Sequence, residues 1–230
     1  MDIVDLHGDM CKKLSTIYCK IMSIFPSLEA AQLRRKSGIQ ALCSVHVALE
    51  KTKNVLQHFS GCSKLYLAIT GDNVLTKFEK ARCALQDGLR CVDDIVPQSI
   101  GSQILEIVSV LEVAVFALDP LEKQVGDDII ALPQQGRKFD NCNDSNELES
   151  FHQATTKLGI TSSRAVLVER RALRKLIERA RAEEDKRKES IVAYLQHLMR
   201  KYSKLFRNEF SDDNDSKGSA PCSPTIRFKV

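Results

Sequence analysis

The sequence predicts an all-α protein whose N-terminal part is a four-helix bundle. Apolar residues recur at spacings of three and four over several long stretches, which is typical of amphipathic helices. The chain holds only 10 Gly and 6 Pro among 230 residues, whereas a sandwich or barrel needs many tight turns. Short connections separate the first four periodic stretches, as they do in up-down bundles.

The first two predicted helices meet at Pro26. The first occupies residues 3–25, and its inward residues are Ile3, Met10, Leu14, Ile17, Ile21 and Ile24. Pro26 is expected to end this helix because proline disrupts a helix interior, and Ser27 is expected to cap the second helix. The second helix ends at Gly61, and its predicted inward residues are Leu28, Ile39, Leu42, His46, Leu49 and Leu56.

The segment SKLYLAITGD, residues 63–72, is a strand-like run in an otherwise helical chain. A strand that enters a catalytic loop and a bend between two helices both fit it at first sight. A phosphate-binding loop needs several glycines and usually a lysine, and this segment supplies one glycine in Thr70-Gly71-Asp72. We therefore expect a connection between helices, extended or partly helical and unpaired in any sheet. Its inward residues are expected to be Leu65, Leu67 and Ile69.

The third and fourth predicted helices complete the bundle. The third begins at a cap formed by Asp72 or Asn73 and ends at Pro97. Its inward residues are Val74, Phe78, Ala81, Leu85, Leu89, Val92 and Val96. The fourth runs from Ser99 to Leu118.

The fourth helix contains the most apolar stretch of the chain, residues 104–118. As a helix this stretch would be about 22 Å long, and a membrane span needs about 20 residues. Glu106, Ser109 and Glu112 recur at every third position and form a polar stripe. We therefore expect a helix that is buried on most sides, and no stable membrane insertion.

The C-terminal half is predicted to add helices to the bundle of residues 1–132. Asp119-Pro120-Leu121-Glu122 resembles a capping box and predicts a short helix to Leu132. Residues 133–144 are polar and predict a hinge, and residues 145–207 are predicted to pack on the bundle. They comprise a short helix, 145–158, ended by Gly159, and one long helix from Thr161 or Ser162 to Phe206. The charged middle of that helix, RAEEDKRKES, is expected to project into solvent.

Residues 208–230 are acidic and then rich in Ser and Pro, which predicts a disordered linker. Within it, Ser223 precedes Pro224 and is a candidate site of proline-directed phosphorylation.

Composition limits which cellular compartments and which classes of partner fit the chain. The net charge of +4 is too weak by itself to indicate nucleic-acid binding. The first ten residues lack the basic and apolar regions of a signal peptide, so we expect an intracellular protein. The eight cysteines are scattered without a Cys-x-x-Cys motif and are expected to be reduced thiols that pack as small apolar residues.

The sequence predicts no catalytic residue, no cofactor and no metal site. His46 lies on an apolar face and is expected to be a satisfied core histidine rather than a base or a ligand. The remaining histidines are single and unmatched: His7, His58, His152 and His197. The pairs Cys11/Cys19 and Cys83/Cys91 are each eight residues apart and are expected to pack in the core.

A basic run occupies residues 164–188 and contains ten Lys or Arg. Acidic residues are interspersed, for example Glu169 before Arg170 and Glu178 before Arg179, which favours a solvated helix face. A protein-docking surface is the second interpretation, and its candidate residues are Arg170, Arg171, Arg174, Lys175 and Arg179. Nucleic-acid binding is the least favoured, because no aromatic residues are interleaved for base stacking.

Three segments in order carry a resemblance to a known family. They are CSKLYLAITGDNVLTKFEKARCAL at 62–85, the segment 158–206 that begins LGITSSRAVLVERR, and the acidic tail into APCSPT at 220–225. They resemble the N-terminal domain of plant U-box E3 ubiquitin ligases with armadillo repeats, over residues 1 to about 226. The resemblance implies a helical bundle similar to the adaptor domain of mixed-lineage-kinase-like pseudokinases. It also implies a docking module that binds receptor-like kinases in some members, in a protein that transfers ubiquitin through a U-box.

The chain departs from this family pattern after the linker. It ends in PTIRFKV without the Cys-Pro-Ile-like and Tyr-Asp-Pro-Val-like segments of a U-box, and Arg227–Val230 fit the linker poorly. We therefore expect a truncated isoform or a partial gene model that binds a protein partner, such as a receptor-like kinase domain, without binding an E2 or transferring ubiquitin itself.

Two alternative functions stay open at this point, an E3 ubiquitin-protein transferase and a membrane-associating bundle. The expected location is the cytoplasm, with the nucleus or the plasma membrane reached through a partner.

Overall fold

The computed structural model describes residues 6–31, 36–93, 95–135 and 143–206, and these ranges contain helices and their connections without a strand. The helices are α1 (Gly8–Ala30), α2 (Lys36–Ser60), α3 (Lys64–Ile69), α4 (Gly71–Asp93), α5 (Gln98–Val113), α6 (Pro120–Gln135), α7 (Asn143–Lys157), α8 (Ser163–Ala182) and α9 (Lys186–Ser203), followed by a 3-10 turn at Lys204–Phe206. The predicted all-α fold class is confirmed.

Several predictions concern residues outside the described ranges. Ile3, the proposed linker 208–230 with Ser223, and residues 136–142 of the predicted hinge are among them. The two ends of that hinge are helical, because α6 continues to Gln135 and α7 begins at Asn143.

Helices α1, α2, α4 and α5 surround the N-terminal core. Each packs mainly against two of the others, in the order α1, α2, α4, α5 and back to α1, and α1 also contacts α4. Phe78 is fully buried between Phe59 and Phe116, with ring centroids 5.2 and 5.5 Å away. The further likeness to the pseudokinase adaptor domain stays a prediction.

Pro26 does not end the first helix, so that prediction was wrong. It lies inside α1, which continues to Ala30, and Ser27 is a helical residue rather than a cap. Pro26 and Met22, the residue one turn before it, are exposed, so water can hydrate the carbonyl that proline leaves without a donor. Leu28 is fully buried and holds this last turn of α1 against the core.

The predicted inward face of α2 was partly wrong: Leu49 is buried and Leu42 and Leu56 pack partly buried against the core, as predicted, but two other residues do not face it. Ile39 is 54% exposed and His46 is exposed, whereas a stripe of smaller residues faces the core. This stripe is Ala41, Val45, Ala48, Leu49 and Thr52. A Cβ added to Gly88 of α4 would lie 3.3 Å from the Cα of Val45, so α2 and α4 approach closely. Small residues on α2 permit that approach, whereas the prediction had placed the larger apolar residues of this helix inward.

The SKLYLAITGD segment is mostly helical. Ser63 caps α3, its hydroxyl accepting a hydrogen bond from the Tyr66 amide, and only Thr70 separates α3 from α4. Leu65 and Leu67 are buried, as predicted, and Ile69 is partly buried. Of the two forms expected, the helical one is correct and the extended one is not.

The fourth predicted helix ends early. Helix α5 stops at Val113, and residues 114–119 are not helical. In this connection Phe116 is buried while Val115 is 69% exposed, an alternation typical of extended chain. Asp119 then caps α6 as predicted, accepting from the Leu121 amide at 2.7 Å and the Glu122 amide at 3.3 Å.

The predicted long C-terminal helix is two antiparallel helices, α8 and α9. The break falls at Glu183-Glu184-Asp185, inside the charged stretch. Glu184 has a left-handed backbone with φ 54°, and the Asp185 side chain caps α9 by accepting from the Lys188 amide at 2.9 Å. The fold-back lets α8 and α9 bury apolar faces against each other, which one projecting helix could not do.

Among the described residues, no helix combines the length and the apolarity that crossing a lipid bilayer requires.

Candidate functional site

The predicted docking residues lie together on α8. Arg171, Arg174, Lys175 and Arg179 are exposed, and Arg170 is partly buried. We call these five residues the α8 docking face. Within the described ranges, no carboxylate forms an ion pair with any of them. Glu178, also exposed, is the acidic residue in their midst.

Three cations further along the basic run differ, because acidic side chains form ion pairs with them. Arg181 Nε lies 2.9 Å from Glu189 Oε1, and Lys188 Nζ lies 2.8 Å from Glu183 Oε2. Lys186 Nζ also lies 3.3 Å from Glu189 Oε2. The interpretation as a solvated, ion-paired helix face therefore fits residues 181–189. The exposure of the docking-face cations agrees with the same interpretation, and a protein-docking role for them stays a prediction.

A cleft of about 340 Å³ lies beside the docking face, between the end of α2 and α8. Lys175, Arg179, Ala172 and Leu176 contribute one wall of this α2–α8 cleft. The other wall consists of Asn54, Gln57, His58, Gly61 and Cys62. Two cations and several neutral hydrogen-bonding groups make the cleft suited to an acidic segment.

The titratable groups in the cleft respond to burial and to positive charge. Burial lowers the pKa of His58, and Lys77, Arg179 and Lys188 lower it further, so the imidazole is neutral at pH 7. Burial raises the pKa of Cys62, which keeps this thiol protonated. The Cys62 thiol is therefore not activated as a nucleophile, and the neutral His58 imidazole can both donate and accept a hydrogen bond in the cleft.

Glu169 fixes α8 relative to α3. Its carboxylate is 4% exposed and accepts hydrogen bonds from the Ser63 hydroxyl and from the amides of Lys64 and Leu65, both at 3.1 Å. Burial raises the pKa of Glu169, although these hydrogen bonds oppose the shift. Because α3 follows directly after the end of α2, this contact also sets the distance between the two walls of the cleft.

Sequence reasoning missed the role of Glu169. It used this residue only as one negative charge in an alternating run. A signal was available, since Glu169 stands three residues after Val166 and four before Leu173, both fully buried on the same face of α8. An acidic residue on a buried stripe needs a partner, because burying a charge without one is costly.

A second buried polar contact joins the start of α1 to α6. The His7 amide donates to Glu122 Oε1 at 3.0 Å, and His7 Nδ1 lies 2.8 Å from Glu122 Oε2 without hydrogen-bond alignment. The other ring nitrogen lies 3.5 Å from the Leu67 carbonyl oxygen. The prediction that His7 is unmatched was therefore wrong. The prediction for His46 was also wrong, because that side chain is exposed, with its ring centroid 6.1 Å from that of Phe25.

The cysteines are less buried than predicted. Cys19, Cys83 and Cys91 are exposed, so packing in the core does not explain either pair of cysteines spaced by eight residues. Cys11, the partner of Cys19, is partly buried against the core. Over the same described ranges, no three His, Cys, Asp or Glu side chains group closely enough to hold a metal ion.

Comparison with known proteins places the chain in a family context. It is 74% identical over 219 residues to U-box domain-containing protein 7 of Arabidopsis thaliana and 73% identical over 220 residues to U-box domain-containing protein 6 of the same plant. U-box domain-containing protein 45 is 70% identical over 227 residues. Over nearly its whole length the chain is similar to one part of these U-box proteins. This confirms the resemblance first seen in residues 62–85 and 158–206.

The alignments cover nearly all of this chain but less than a third of each relative. They include 95 to 98% of this chain but 28 to 30% of the length of those three relatives. No family model matches the chain, and no solved structure matches it.

Proposed function

We propose that these helices form a protein-docking domain that serves ubiquitination by a U-box E3 ligase. The observation that carries the proposal is the α8 docking face, a group of mostly exposed cations beside a cleft, with which no carboxylate of the described residues forms an ion pair. The relatives of the chain are named for a U-box domain, and this name supports the link to ubiquitin transfer. In this proposal the U-box performs the transfer, while the helical domain holds the protein on which the ligase acts or by which it is regulated.

The chemistry of the docking face favours an acidic or phosphorylated protein surface. Arginine binds carboxylates and phosphates through two parallel hydrogen bonds, and four of the five residues are arginines. Exposed charges of this kind increase association rates and select the partner more than they add affinity. A receptor-like kinase domain, with its phosphorylated loops, is the partner class that the family resemblance suggests.

A capture experiment tests this proposal. The chain, immobilised, is incubated with phosphorylated receptor-like kinase domains, in parallel with a variant in which Arg171, Arg174, Lys175 and Arg179 are all glutamine. We expect the variant to retain about tenfold less kinase, because most of the complementary charge is gone. A control variant, K80Q/K123Q, removes two exposed lysines elsewhere, on α4 and α6. Equal capture by all three proteins, or by none, would contradict the proposal.

An activity assay tests the division of labour. Incubated with E1, E2, ubiquitin and ATP, this chain alone is expected to form no ubiquitin conjugates. Conjugates that depend on the chain would show that the helical domain itself supports transfer.

A further inference from the structure

An acidic segment follows the last described residue of the chain. Residues 209–215, Glu-Phe-Ser-Asp-Asp-Asn-Asp, carry four carboxylates and no cation. We call residues 209–215 the acidic segment. It is close in sequence to the end of α9, and its charge is opposite to that of the α8 docking face.

Phe206, the last described residue, lies close to the first turn of α8. The Tyr202 hydroxyl donates to the Ile160 carbonyl at 3.0 Å, and the Phe206 ring packs on Tyr202 with centroids 5.2 Å apart. Ile160 stands three residues before Ser163, where α8 begins. Phe206 therefore lies near the N-terminal end of α8, and the docking face extends away from it along that helix.

The acidic segment is long enough to reach the docking face. Lys175 and Arg179 stand 12 and 16 residues after Ser163, which places them about 18 and 24 Å along the helix. Asp212 and Asp215 stand 6 and 9 residues after Phe206, and an extended chain of those lengths spans about 20 and 30 Å. The acidic side chains can thus stand level with the cations if the chain turns back along α8.

We propose that the acidic segment lies along the α8 docking face, with Asp212, Asp213 and Asp215 next to Lys175 and Arg179. Exposed ion pairs are individually weak, but a short tether raises the effective concentration of the segment into the millimolar range. The segment covers the same cations that a partner would use, so it acts as an autoinhibitory contact. Only this competition rests on the proposed docking function. The contact itself does not.

Zero-length carbodiimide cross-linking of the full chain tests the contact, because it joins a lysine amine to a carboxylate within ion-pair distance. Mass spectrometry is expected to find Lys175 joined to Asp212, Asp213 or Asp215 within one chain. In 1 M NaCl, where the Debye length falls to about 3 Å, the yield should drop sharply.

A matched variant shows whether the docking face holds the acidic segment. R171Q/R174Q/R179Q keeps Lys175 as the reacting amine but removes three neighbouring charges, and we expect about tenfold less of the cross-link. K80Q/K123Q should leave it unchanged. An unchanged yield in R171Q/R174Q/R179Q, or cross-links that join two chains and rise with protein concentration, would overturn the proposal.

The competition has its own readout. D212N/D213N/D215N is expected to capture more phosphorylated kinase domain than the unmodified chain does. If the cross-link forms and no kinase is captured by either protein, the docking function fails and the intramolecular contact stands. If kinase is captured equally by both and the cross-link is absent, the docking function stands and the contact fails.

Discussion

The carboxylate of Glu169 on α8 accepts a hydrogen bond from the hydroxyl of Ser63, 106 residues earlier in the sequence. The amides of Lys64 and Leu65 donate to the same carboxylate, so one side chain satisfies three donors at the start of α3. This buried carboxylate connects the C-terminal helices to the N-terminal bundle through these three hydrogen bonds.

Replacing Glu169 by alanine is therefore expected to be costly. The substitution leaves buried donors without an acceptor, and each such group costs about 1–3 kcal/mol. We expect the free energy of unfolding, measured by urea denaturation, to fall by about 3 kcal/mol. Glu178→Ala on the exposed side of α8 is the control and should change it by less than about 0.5 kcal/mol. Equal effects of the two substitutions would show that the Glu169 contacts contribute little.

The stability should also depend on pH through Glu169. Because burial raises the pKa of this carboxyl above its ordinary 4.5, the folded state holds a proton over an interval in which the unfolded chain has released it. Stability then falls as the pH rises through that interval. We expect unmodified protein to gain stability relative to Glu169→Gln as the pH is lowered from 7 towards 4.5, the ordinary value. Denaturation of both proteins across this range measures the difference, and a difference that shrinks on acidification would refute the assignment.

Gly126 on α6 should not tolerate alanine. A Cβ at this position would lie 2.1 Å from the backbone carbonyl oxygen of Ala68 in α3, so the two helices would have to separate. Helix propensity alone favours Ala over Gly by about 1 kcal/mol, whereas overpacking costs about 1–3 kcal/mol, so we expect a net loss of stability. Gly61→Ala is the control, because the nearest atom there is 4.0 Å away. Thermal unfolding that ranks Gly126→Ala at or above the unmodified protein would contradict the close approach.

Glu184 in the α8–α9 turn should be improved by glycine. Its φ of 54° is a left-handed conformation that costs a side chain about 1–2 kcal/mol and costs glycine little. Glu184→Gly is therefore expected to raise the free energy of unfolding by about 1 kcal/mol. Glu183, with φ −86°, has no such strain to relieve, and glycine there also removes its ion pair with Lys188, so Glu183→Gly is the comparison expected to lose stability. A lower stability for Glu184→Gly than for Glu183→Gly would argue for an uninterrupted helix.

The sequence predicted the fold class because the period of apolar residues is a property of each helix alone. On α2 it placed Leu49 inward correctly but missed Ala41 and Val45, since their burial depends on how closely α4 approaches at Gly88. It also missed the break at Glu184. Charged residues suit a solvated helix and a solvated turn equally well, and the cap at Asp185 differs from an ordinary helical aspartate only by geometry.

The sequence identified the cations of the α8 docking face as candidates, but it did not predict what surrounds them. Charge pattern located these residues without showing that Arg181, Lys186 and Lys188 form ion pairs, whereas no carboxylate within the described ranges forms one with the docking face. The cleft is formed by α2 and α8, which are far apart in the chain, and no local pattern reports such a neighbour.

Helix α8 carries the exposed cations on one side and the buried Glu169 carboxylate on the other. Moving the cations as a group therefore requires breaking the three hydrogen bonds that Glu169 accepts. The backbone beneath the docking face is preorganised, so a ligand that binds it loses little entropy in ordering that backbone. Selectivity among ligands then depends on whether their negative charges already match the spacing of one helical turn.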